Sequence, residues 1–138
     1  MVTRNRFIMF VIALAGVGCQ SKSEPEAKPT MIEWRPVGSW SGHGDAQSDP
    51  FLMEGGRWRV KWATKDEKSP GAGVFKLTIN SAVSGRPLMD AVDQRGVGHD
   101  TVYVNEDPRT FYLVIEASGI SWSVTVEEPA VIEVPGAK

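Results

Sequence analysis

Residues 57–63 read Arg-Trp-Arg-Val-Lys-Trp-Ala. Trp58, Val60 and Trp62 alternate with Arg57, Arg59 and Lys61, a period of two. In an extended chain, successive side chains leave on opposite faces. The segment therefore has one apolar face and one cationic face, which is the pattern of a half-buried β-strand and not of a 3.6-residue helix. Phe75, Leu77 and Ile79 alternate with Lys76 and Thr78, and Trp122, Val124 and Val126 alternate with Ser121, Ser123 and Thr125. In residues 111–115, Phe111, Leu113 and Ile115 are joined by Tyr112 and Val114. A strand apolar on both faces belongs inside a sheet. Weaker strands are read in residues 39–44, 50–55, 87–93 and 100–105. Gly-, Pro- and Asp-rich turns separate all of these segments. Short strands at regular spacing, with no helical period between them, indicate an antiparallel sandwich or barrel. About eight strands in two four-stranded sheets is the expected all-β architecture.

The chain opens differently. Arg4 and Arg6 precede an apolar run that ends at Gly18 and Cys19. From Phe7 to Cys19 there are 13 residues, whereas a membrane-spanning helix needs roughly 20. A basic start, a short apolar stretch and small residues at its end form a secretory signal. Cys19 is the single cysteine of the chain and follows Ala15-Gly16-Val17-Gly18. This segment resembles the lipobox of bacterial lipoproteins, with Gly16 where that family usually has Leu. The resemblance implies that the Cys19 thiol takes a diacylglyceryl group and that the chain is cut before it. Two or more acyl chains hold a protein on a membrane, whereas one holds only marginally. Gln20, rather than Asp, after the cysteine implies the outer membrane where the cell has one. The alternative is an ordinary secretory signal and a secreted product.

The expected organisation is a signal helix over residues 1–18 and a lipidated Cys19 with a flexible tether over 19–33. A sandwich domain then covers 34–128, and 129–138 form a tail or edge segment. The tether is rich in charge and proline and poor in large apolar residues. The 138-residue chain carries a formal charge of -2, which becomes -4 once Arg4 and Arg6 are removed. Mild acidity argues against a nucleic-acid partner, which would call for a basic stripe, and against broad attraction to anionic lipid. With Cys19 acylated, no thiol remains for a disulfide, and packing alone must hold the core.

The mature region, residues 40–128, combines a Gly-rich start with a Pro-Phe pair and the paired-Trp strand. A Gly-rich lead into Thr101-Val102-Tyr103-Val104, a Tyr112-Leu113 strand and a final Trp122 strand follow. This pattern resembles a widespread group of small bacterial secreted and lipoprotein domains. The resemblance implies a β-sandwich with an extracytoplasmic address and carries over no functional residue.

Several side chains are candidates for a site. Trp58, Trp62 and Trp122 stand on the apolar sides of their strands and are expected in the core. Trp34 and Trp40 lie near the tether and first strand and are the candidate stacking platforms. Arg57, Arg59 and Lys61 form the most regular polar feature, either covering the sheet or docking an acidic partner. His43 and His99 stand in Gly-rich turns beside Asp45 and Asp100, with Asp49 and Asp90 as further carboxylates. Their spacing matches no metal loop, and turns recruit such residues for conformational reasons. No nucleophile elbow is present, and neither a catalytic set nor a cofactor is expected. The function expected is a lipid-anchored, extracytoplasmic β-sandwich with a binding or structural role at the cell envelope. Its membrane contact is the N-terminal lipid, and its partner is an envelope protein or polysaccharide. The alternative is a carbohydrate- or metal-binding accessory module.

Overall fold

The computed structural model describes residues 29–134. The signal segment, Cys19 and the first part of the expected tether lie outside the described residues. Nine strands follow in order: β1 (Thr30–Gly42), β2 (Ala46–Gln47), β3 (Phe51–Met53), β4 (Arg57–Lys65), β5 (Val74–Ser81), β6 (Pro87–Arg95), β7 (His99–Asn105), β8 (Arg109–Ser118) and β9 (Ser121–Glu133). They form two antiparallel sheets. The first has the order β1-β9-β4-β7, and the second β2-β8-β5-β6, with β3 also pairing β8.

The alternation read in residues 57–63 carries through β4. Trp58, Val60, Trp62 and Thr64 turn inward and are buried, while Arg57, Lys61 and Lys65 are exposed. Phe75, Leu77 and Ile79 of β5 and Phe111, Leu113 and Ile115 of β8 face them from the second sheet. One aromatic cluster forms where Trp58 meets Phe111 at 5.0 Å and Phe51 at 5.5 Å. A second forms where Phe75 meets Trp62 and Trp122. Tilted, stacked and edge contacts of this kind add to the area that the rings bury. The first cluster marks one end of the sandwich, and the second marks the other. β8 has neighbours on both sides, as its two apolar faces imply.

Two differences from the sequence reading have physical causes, and residues 129–133, read as tail or edge segment, are strand. There are nine strands because the edge beside β8 is split into two short pieces, interrupted by Asp49 and Pro50. Residues 30–33, read as tether, are strand, and the tail through Glu133 continues β9. Each supplies the partner that the other lacks: Thr30 pairs Glu133, and Trp34 pairs Pro129. Proline is tolerated at both places. Pro36 lies at a register shift, and Pro129 lies beyond the last β4 partner, where β9 has a free edge. Gly119, at φ 65°, closes the tight β8–β9 turn in a conformation that glycine adopts without strain.

Candidate functional site

The outer face of the first sheet is set by register. Arg59 pairs Tyr103 on one side and Glu127 on the other. One step along, Lys61 lies between Thr101 and Thr125, and Ser39 completes that row. In the next row Ala63 lies between His99 and Ser123, with Ser41 beyond. Lys65 pairs Ser121 at the end of β4. Alternation within each strand brings all of these side chains to the solvent face.

The rows divide into two regions. Nearest the Trp58 end, the Arg59 guanidinium is engaged on two sides. Its Nε donates to Glu127 Oε1 at 2.7 Å, and its Cζ lies 4.1 Å from the Trp34 ring centroid. Trp34 in turn meets Tyr103 edge-on at 5.9 Å. Arg59 and Glu127 are only 18% and 14% exposed at their side chains, so this region is a structural clasp that fastens β1 across β9 and β4.

Beyond the clasp the surface becomes a shallow trough. One hollow of about 560 Å³ is lined by Lys61, Ala63, His99, Thr101, Ser123 and Thr125, with Asp100 at its margin. A second, of about 350 Å³, shares Ala63 and Ser123 and adds Ser41, His43, Lys65 and Ser121. The floor is low because Ala63 and Ser123 are small. Lys61 and Lys65 stand on either side of Ala63 along β4, and neither forms an ion pair among the described residues. Asp100 contributes the local acid, and its Oδ1 accepts the Thr101 N–H at 2.7 Å. The Ser39 and Thr125 hydroxyls bond each other at 3.0 Å. His99 begins β7, and His43 follows the end of β1. Their strands are three spacings apart across the sheet, about 14 Å, so the imidazoles stand on opposite banks.

The other residues singled out in the sequence are dispersed. Trp40 turns inward against Phe51 at 5.8 Å and belongs to the core margin, where it presents no stacking platform. Trp34 is half-buried under Arg59, which occupies its ring face. Arg57 is exposed at the start of β4, apart from the trough. Asp45 Oδ1 accepts the Ala117 N–H at 2.8 Å, and Asp90 accepts from Thr78 on the second sheet, so neither joins the histidines. Among the described residues, no three His, Cys, Asp or Glu side chains gather closely enough to hold a metal ion.

Lys65 was missed in the sequence because it stands where the cationic alternation runs into a turn signal. Its spacing of four from Lys61, on the same face of β4, was the available clue. No family model matches this chain, and neither the curated proteins nor the solved structures contain a match to it.

Proposed function

We propose that the protein is a lipid-anchored, extracytoplasmic β-sandwich that displays the trough on its first sheet to an acidic polysaccharide of the cell envelope. Cys19, within its lipobox-like segment, supplies the anchor. The observation that carries the binding role is the pair of ammonium groups of Lys61 and Lys65, without an ion pair among the described residues, flanking Ala63 and a set of hydroxyls. Lysines over a shallow floor edged by hydroxyls suit carboxylates carried on a hydroxylated chain. The net charge of the chain is negative, so the attraction is local to the trough and must weaken with salt. Tyr103, at the trough's clasp end, offers an exposed ring on which a sugar could stack.

Retention on immobilised polygalacturonate at low and physiological salt tests this reading, with uncharged dextran as the control polymer. The wild-type protein is expected to be retained on the acidic polymer and to pass through dextran. The Lys61→Glu/Lys65→Glu variant, folded by circular dichroism, is expected to lose retention. Equal behaviour of variant and wild type, or no retention of either, overturns the polysaccharide reading.

A further inference from the structure

Beyond the pairing with β4, which ends at Arg59–Glu127, β9 and β1 run on together as a two-stranded arm over residues 30–35 and 128–133. The Val134 N–H closes it on Pro29 O at 2.9 Å. A two-stranded ribbon is marginal in water by itself. This one nevertheless exposes Ile32 and Val131, directly opposite each other and on the same face as Trp34, at 58% and 72%.

The exposed apolar side chains of the whole domain are polarised. Met31, Ile32, Leu52, Val83, Tyr103 and Val131 all lie on the arm or toward the arm end of the sandwich. That end is fixed by register. Arg57 pairs Asn105 there, Phe51 pairs Phe111, and the β5–β6 turn carrying Val83 follows the β5 terminus that pairs Phe111. Among the described residues the opposite end exposes one large apolar side chain, Val97, in the β6–β7 turn. The arm end is also where the chain enters from Cys19. Nine residues separate Cys19 from Pro29, a reach of at most roughly 35 Å over the ten Cα steps. The β6–β7 turn lies farther away by the length of β4, roughly 30 Å for its nine residues.

We infer that this arm is a second membrane contact. Its Ile32–Val131 face seats on the lipid surface to which Cys19 is fastened. The inference rests on the proposed acylation of Cys19. The contact is apolar in origin, because Glu33, Glu128 and Glu133 outnumber Arg35 and leave the arm without net positive charge. It therefore requires no anionic lipid.

The full chain, acylated in cells and reconstituted into phosphatidylcholine vesicles, carries the test. Val131→Trp and Val97→Trp each add one indole at an exposed site, and the added emission is read against the wild type with lipids brominated high in their acyl chains. An indole seated about 5–10 Å into the headgroup boundary should be quenched about twofold or more beyond one held in water. The expected result is quenching of Trp emission from Val131→Trp and none from Val97→Trp. Equal quenching in the two variants, with the protein floating with its vesicles, overturns the arm contact and leaves the anchor standing. Failure to float, with an unmodified Cys19 by mass spectrometry, overturns the anchor and the arm contact together.

Discussion

Arg59 lies with its guanidinium 4.1 Å from the centre of the Trp34 ring, which joins the middle residue of the cationic stripe on β4 to a residue of β1. With Glu127 bonded at 2.7 Å on its other side, Arg59 is held by two strands at once. The residue is therefore part of the fastening of β1.

Replacing Arg59 by Met should remove a charge-assisted hydrogen bond and leave Glu127 without its partner. The expected loss is about 1.5–3 kcal/mol, read as a lower urea midpoint. Arg59→Lys should recover little, because an ammonium group lacks the planar surface that stacks on an indole. A shift within about 0.5 kcal/mol, the usual range for an unremarkable surface site, would show that the clasp contributes nothing.

The two deeply buried indoles at opposite ends of the core make a controlled comparison. Trp122 Nε1 donates to Gly44 O at 2.9 Å, tying the β1–β2 link to β9. Trp58 Nε1 has no acceptor among the described residues. Trp122→Phe and Trp58→Phe remove the same atoms from buried sites, so the packing losses are similar. The hydrogen bond should make Trp122→Phe costlier by about 1 kcal/mol. Denaturant titration of the pair decides it: equal losses, or a larger one at Trp58, would contradict the assignment.

How much of this could be read beforehand depends on how local each feature is. The inward set of Trp58, Val60 and Trp62 was legible because alternation is a property of consecutive residues, and burial of one face follows from it. The pairing of β1 with β9 was not, because Thr30 and Glu133 stand at opposite ends of the domain and no local pattern links them. Pro36 and Pro129 also disguised both strands, since a proline argues against a strand unless its edge is known to be free. The trough was hidden for the same reason. His99, Ala63, Ser123 and Ser41 come from four strands and become one row only when register is known. Arg59 and Lys61 look equivalent in sequence, and the position of Glu127 separates the engaged cation from the one without an ion pair among the described residues.

Gly73 marks a close approach between the start of β5 and the β8–β9 turn. A methyl group added there would lie 2.8 Å from Ile120 Cβ and Cδ1, and Ile120 is itself buried in the core. Gly73→Ala should therefore cost about 1–3 kcal/mol through overpacking. Pairing it with Ile120→Val should restore part of the loss, because the methyl removed relieves the same crowding. A double variant no more stable than Gly73→Ala alone would locate the strain elsewhere.

Thr64 connects the core to the bank of the trough. Its buried hydroxyl donates to Gly96 O at 3.0 Å and accepts the Gly98 N–H at 2.9 Å, holding the turn that leads directly into His99. Valine keeps the branched shape and removes both bonds, leaving two buried backbone groups without their partner. Thr64→Val should lower stability by about 1–3 kcal/mol, whereas Thr64→Ser keeps the hydroxyl and should lose less. Because this turn positions His99, the valine variant should also weaken retention on polygalacturonate when compared below its unfolding transition. Wild-type stability in Thr64→Val would mean that the turn is held by its backbone bonds alone, the Thr64 N–H to Gly98 O at 2.8 Å among them.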